Sequence, residues 1–459
     1  MFSFITKKWH AALAVGAVAA VGLQFVRPKL ENPPVTGDIS APEHVKEILQ
    51  RACYDCHSNE THLAWFDQIS PAIWLVAADV KEARSVLNFS YWEQLSMDQR
   101  KAKFFEALNQ ATFETMPPAK YTALHPSAKL TANDIAVLKN YLATLIPKPV
   151  PNAEKTAAGD VQYVAWTHAV SAAKDVRPSA NDLVFMPEYK DWAPISMTDR
   201  PDQGAMKVIT GNDVAVKAVR NHQTNPWPDG AVLAKMQFEA VTDAHGTTRT
   251  GEFKQVAFMI KDAKKYASTQ GWGYARWKGT SLEPGDKDPS FTMDCVNCHA
   301  PMHDYDFVFS NAIDFAAKEE PFLKPTRSDT RNVLASLTEA SQFDSREWKV
   351  MSAFVERTPN TMSMLFGNDL ALKAGRAGHA HYPPGAELSL VTWKSQEDDH
   401  WFGAYIPGGV QSIERVTFST AGVTYARFEG SAFTKRVGDP AMEMDRISYI
   451  ANQRASVMP

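Results

Sequence analysis

All four cysteines of the 459-residue chain stand in two pentapeptides, Cys53-Tyr54-Asp55-Cys56-His57 and Cys295-Val296-Asn297-Cys298-His299. Two thiols at this spacing can add across the two vinyl groups of one porphyrin. The next histidine then swings under the ring and ligates iron as the proximal base. Two other chemistries use a Cys-x-x-Cys pair, a redox dithiol and half of a zinc site. A dithiol has no need of a histidine at the following position, twice over. A zinc site built from both pairs leaves both histidines unexplained. The expectation is two covalently bound haem c groups, one on Cys53, Cys56 and His57, the other on Cys295, Cys298 and His299.

The elements that must carry the first motif read as helices. Ser40-Ala41-Pro42-Glu43 has the form of a capping box, and Val45, Ile48, Leu49 and Ala52 come after it at helical spacing. Thr131-Ala132-Asn133-Asp134 is a second cap, ahead of the stripe Ile135, Leu138, Leu142 and Leu145. A helix into the motif and another at the end is the layout of a small cytochrome c, placed at residues 35–147. Its iron needs a sixth ligand. Met116, in the Pro-rich segment Glu114 to Tyr121, is a candidate, and a thioether opposite histidine raises the potential. The alternatives are His62, His125, or a Met116 that merely fills a gap, as one of 16 methionines.

Pro147, Pro149 and Pro151 break the chain. Residues 148–180 read as a linker with a short helix near 161–173. The rest of the chain contains an internal repeat. Gly211–Arg220 (GNDVAVKAVR) matches Gly367–Arg376 (GNDLALKAGR) at an offset of 156, which Trp192 and Trp348 share. Asp229–Phe238 matches Pro384–Trp393 at 155, and Tyr274–Gly279 matches Tyr425–Gly430 at 151, where Met293-Asp294 also falls on Met444-Asp445. Ordered matches with a slowly drifting offset predict two copies of one domain, at 181–312 and 313–459. Cys295, Cys298 and His299 fall opposite Arg446, Tyr449 and Ile450, so the second copy lacks a haem motif. Its expected role is packing.

Each copy alternates like a strand protein. Ala231–Val241, Gln255–Lys261 and Leu388–Trp393 are short apolar runs punctuated by Gly and Pro, while Asn212–Arg220 reads as a helix. The fold class is therefore multidomain: an all-α cytochrome c-like domain, then two β-rich α+β domains. Lys235 lies on the strand face of Gln237 and Glu239, opposite Val232, Ala234, Met236 and Phe238. Taken alone it reads as a solvated lysine.

The stretch Ala52–Trp92, with Met116-Pro117-Pro118 and the terminal helix, resembles the haem-binding-domain family of membrane-tethered c-type cytochromes over residues 35–146. The resemblance implies an all-α haem domain with Met116 as distal ligand and Trp65, Phe66 and Trp74 as haem-packing or core rings, core being the expected label. Asp229–Val241, Tyr274–Trp277 and Cys295–Phe309 resemble the cytochrome P-460 family over 181–309, and again, degenerately, over 341–453. That resemblance implies a β-rich, usually dimeric, periplasmic haem protein. Its iron has an open distal position that reacts with hydroxylamine or nitric oxide, and a lysine bonds to the porphyrin edge. By position this lysine is Lys235, facing Leu390 in the haem-free copy. An acid or small residue a few positions beyond the proximal histidine is also implied. His303, Asp304 and Asp306 lie there. Asp304 is the candidate proton acceptor, and Asp306 reads as a backbone anchor.

Bulk composition bounds the function. The hydrophobic content is 44%, the charged content 22% and the net charge −4, which is globular and without a nucleic-acid footprint. Lys7 and Lys8 precede an apolar run from Ala11 to Val26, with Arg27-Pro28-Lys29 after it. This marks export. Residues 1–34 read as an inner-membrane anchor with a periplasmic body; the alternative is a cleaved signal peptide. The expected partners are a periplasmic redox protein and a small nitrogenous substrate or gas. Three functions fit: an oxidoreductase with an electron relay, a non-enzymatic carrier or gas binder, and a haem-stabilised envelope protein.

Overall fold

The structure, a computed structural model, describes residues 15–168, 175–315, 330–338, 341, 343, 348–378, 381–429, 433–436 and 438–459. Lys7, Lys8 and the start of the leading apolar run lie outside the described residues. Two compact units divide the chain, at 1–145 and 146–459.

The first unit is helical: α1 (residues 15–23), α2 (Glu43–Ala52), α3 (Tyr54–His57), α4 (Ala72–Val86), α5 (Met97–Thr112), α6 (Ala119–Thr122) and α7 (Ala132–Ala143). Helix α2 buries Val45, Ile48, Leu49 and Ala52, the stripe its spacing demands. These pack in a core with Phe104, Phe105 and Leu108 of α5 and Leu138 and Leu142 of α7. The Thr131 hydroxyl caps α7 by accepting the Asp134 N–H. The expected cap at Ser40 does not form. Pro42, at φ −56 and ψ 149, occupies the N-cap position instead, and α2 has no side-chain cap. Arg51 ties the end of α2 to the start of α7, with a guanidinium nitrogen 2.8 Å from the Asp134 carboxylate. Among the described residues no helix is long and apolar enough to cross a membrane.

The second unit begins with α8 (Ala153–His168). The expected linker is thus largely a docked helix, displaced toward the N-terminus of the short helix read from sequence. Gly159 brings its backbone close to Gly251, where a Cβ would stand 3.5 Å from backbone atoms. Gln162 both donates to and accepts from the backbone of Phe253, at 3.2 and 2.6 Å.

The remaining elements run in two passes of the same order. The first is β1 (Ala193–Arg200), β2 (Ala205–Gly211), α9 (Asp213–Arg220), β3 (Val232–Thr242), β4 (Thr247–Lys261), β5 (Trp272–Lys278), β6 (Glu283–Pro284) and α10 (Phe291–His299). The second is β7 (Lys349–Glu356), β8 (Thr361–Gly367), α11 (Asp369–Arg376), β9 (Glu387–Glu397), β10 (Tyr405–Ser419), β11 (Gly422–Glu429), β12 (Thr434–Arg436) and α12 (Pro440–Ala451). Asn212 and Asn368 cap the matching helices α9 and α11 through their side chains.

These passes do not form two separate bodies. Among the described residues all twelve strands join one antiparallel sheet, in the order β1-β2-β3-β4-β7-β8-β9-β10, and a further β10–β1 pairing closes the ring. The start of β4 pairs with β7 (Thr248↔Val355) and its end with β5 (Ala257↔Arg276). The start of β10 pairs with β1 (Tyr405↔Asp199) and its end with β11. Inside the ring Met206, Met236, Phe238 and Val256 meet Val355, Met364, Trp393 and Ile413 in a single apolar core. Each such side chain contributes about 1.5–3 kcal/mol relative to exposure, so the halves stabilise one another.

Candidate haem-attachment sites

In the first unit Cys53 sits at the turn between α2 and α3, and Cys56 and His57 lie on α3. The His57 Nδ1 stands 3.0 Å from the Leu87 carbonyl. A carbonyl only accepts, so Nδ1 carries the proton and Nε2 keeps the lone pair, the arrangement of a histidine that binds metal through Nε2. Burial lowers the pKa of His57 and so favours the neutral ligand form. Burial pushes the Cys53 thiol up to about 12 and the Cys56 thiol up to about 11. A redox dithiol needs the opposite shift. All four cysteines are free of disulfides. Among the described residues no cysteine falls in a cluster with two other metal-ligating side chains.

The candidate sixth ligands separate by their bonding. His125 has both ring nitrogens engaged, Nδ1 with the Tyr121 carbonyl at 3.1 Å and Nε2 with Asp67 at 2.9 Å, and it stacks on Tyr121. His62 is an exposed side chain whose backbone N–H donates to Asp55. Met116 is 42% exposed, on the loop after α5. Trp65 and Trp74 are 74% and 47% exposed, so the core label expected for them fails; Phe66 is partly buried against His125. Trp65 lies on the segment that leads into α4, and Trp74 on its first turn.

The second motif occupies the last turn of α10. Here too the proximal candidate is oriented by the backbone: His299 Nδ1 donates to the Phe307 carbonyl at 2.7 Å. Burial, with the positive charge of Lys235 second, lowers its pKa to about 4. Tyr274 and Phe309 flank its ring at 5.4 and 5.0 Å between centroids. The chain that returns to supply these contacts is fixed at Asp306. Its carboxylate accepts the Trp227 N–H at 2.8 Å and pairs with Lys261 at 2.7 Å, while its carbonyl accepts from the Trp272 indole at 2.8 Å.

The sheet face on the α10 side is graded, as the alternation of side chains across a strand dictates. Paired positions form one apolar row, Leu233, Met259 and Tyr274; a middle row, Ile209, Lys235, Ala257 and Arg276; and a polar row, Lys207, Gln237, Gln255 and Lys278. A macrocycle with an apolar body and two carboxylates at one edge fits this gradient. Lys235 is partly buried in the middle row, not solvated as its strand alone suggested. Burial lowers its pKa, which favours the nucleophilic free amine. Lys207, one strand away, is buried and pushed well below its usual range by burial and then by Arg200. Lys207 is not among the residues the sequence singled out; its signal is a lone cation within β2, whose seven positions are all buried. The Asp304 side chain is 68% exposed, with its carboxylate 3.2 Å from His303 Nε2, and its carbonyl accepts from Asn225.

The corresponding face of the second pass is filled. Leu390 pairs with Glu414, and both are 1% exposed. Arg446, on α12 where the first cysteine would stand, clasps that carboxylate with two nitrogens at 2.9 and 2.7 Å. Tyr425 adds a third donor. A buried carboxylate with these partners leaves no bed for a macrocycle.

No curated protein matches the chain. The family model described as a haem-binding domain matches residues 18–144, and the one described as cytochrome P460 matches residues 186–310. Each matched range contains one Cys-x-x-Cys-His motif and its backbone-oriented histidine, and together they make this chain a haem protein.

Proposed function

We propose that the chain is a dihaem c-type cytochrome of the periplasm, held at the inner membrane by its N-terminal segment. It combines a Met/His electron-relay haem with a P460-like haem that has an open distal position. The observation that carries this reading is the shared setting of His57 and His299. In each, a backbone carbonyl takes the Nδ1 proton and leaves Nε2 for iron. Thioether attachment consumes Cys53, Cys56, Cys295 and Cys298. Bound in this way, each haem supplies a one-electron iron centre. In the first unit Met116 closes the remaining axial position, so that site relays electrons. In the second, Lys235 would hold the porphyrin edge, and that haem would supply a site for hydroxylamine or nitric oxide. Asp304 is the candidate proton acceptor for oxidation, and a periplasmic redox protein receives the electrons. The matching element order of the two passes supports a duplicated P460-like domain, the second copy having exchanged its haem for the Glu414–Arg446 pair.

A second reading, capture of nitric oxide without turnover, draws support from the exposure of Asp304. One experiment separates the two: the optical spectrum of the purified, haem-loaded protein during hydroxylamine and nitric oxide titrations. The enzyme reading expects a red-shifted ferrous Soret band beside an ordinary cytochrome c spectrum, and reduction of the haems by hydroxylamine. Two ordinary spectra with no reduction by hydroxylamine would overturn it.

A further inference from the structure

The hairpin connections of the two passes differ in length. Residues 243–246 join β3 to β4, whereas the longer segment 398–404 joins β9 to β10. The longer loop carries two large side chains into the first pass, His400 at 2% and Trp401 at 8% exposure. His400 Nδ1 donates to the Phe309 carbonyl at 2.7 Å, and its ring lies 4.4 Å from that of Tyr305. Trp401 meets the Phe309 ring edge-on at 5.6 Å and stacks under the Arg200 guanidinium at 4.1 Å. Its indole N–H donates to Asp202, the partner of Arg200, at 3.2 Å. Asp399 accepts from Asn311 at 3.0 Å.

The loop thus grips the chain from Tyr305 to Asn311 on several sides. That same stretch holds the second proximal histidine, through the Phe307 carbonyl and the Phe309 ring. We propose that the haem-free half is a positioning element: its loop Asp398–Trp401 fixes the orientation of His299 toward the iron of the other half. This rests on the reading that His299 is an axial ligand. Partners of this kind tune metal affinity without touching the metal. Trp401 acts through Phe309, and His400 through the Phe309 carbonyl.

The test uses the full-length, haem-loaded chain. Trp401→Ala should lower the iron–histidine stretching band in resonance Raman spectra of the ferrous protein. It should also raise the fraction of proximal histidine displaced at a fixed nitric oxide concentration. Trp401→Phe, which keeps the ring contact, and His400→Gln, which keeps a donor for the carbonyl, should stay near wild type. Arg249→Ala removes a contact between the halves that does not touch the Tyr305–Asn311 stretch, the 2.7 Å bond to Gln453, and should leave the band in place. An unmoved band in Trp401→Ala protein that carries both porphyrins by mass would overturn the proposal. So would an equal shift in Arg249→Ala. A wild-type chain with no porphyrin on the second motif would overturn the axial-ligand reading itself, and the proposal with it.

Discussion

Asp398, at the base of the loop that grips Phe309, is held against its own chemistry. Burial raises its pKa from the ordinary 3.8 to about 6, more than His400 and its backbone N–H lower it. A carboxyl with a raised folded-state pKa binds more protons folded than unfolded between these two values. Its stability penalty is therefore absent below pH 3.8, grows through the window, and is complete above pH 6. A displacement of this size corresponds to about 3 kcal/mol. Because the side chain reaches solvent in part, about 1–2 kcal/mol is the expected share. Asp398→Asn removes the charge yet keeps the acceptor for the His400 N–H, now at 2.9 Å. The variant should match wild type near pH 4 and exceed it by that amount at pH 8. Urea unfolding of the haem-loaded chain, monitored by strand ellipticity from pH 4 to pH 8, measures the difference. Equal midpoints at pH 8, or an advantage that shrinks as pH rises, would refute the burial argument.

Lys235→Leu should return the second haem to an ordinary cytochrome c spectrum, since leucine occupies the paired position in the other half; a persisting red-shifted band would exclude Lys235 as its origin. Met116→Ala should turn the first haem high-spin in optical and electron paramagnetic resonance spectra. His125→Ala should leave it low-spin, because both His125 nitrogens are already bonded; a high-spin His125 variant would reverse the assignment.

The two Cys-x-x-Cys-His motifs were the most legible feature, and each falls inside one matched haem-family range. Thioether attachment, as proposed, requires the spacing of Cys53, Cys56 and His57 and of their counterparts, and spacing is what a sequence records. Alternation likewise revealed strands β3, β4 and β9, because their inner faces fill one apolar core. Ser40 looked like a cap, but Pro42 fixes the backbone at the helix start. Trp65 and Trp74 looked like core because large rings usually are; nothing local distinguishes an exposed ring from one in the interior. Lys207 was hidden because one lysine in an apolar strand has no periodic signature. His400 and Trp401 were beyond reach for another reason. Their contacts depend on β1 pairing with β10, residues 199 and 405, a closure set by the tertiary fold.

The closed ring of eight strands has a consequence for how the setting of His299 behaves at dilution. Were its halves separate molecules, the grip on Phe309 would weaken as concentration fell, and iron ligation would obey mass action. Here a covalent tether keeps the effective concentration of one half near the other high at any dilution. The setting of His299 is assembled once, at folding, and a single copy of the chain carries both halves of it.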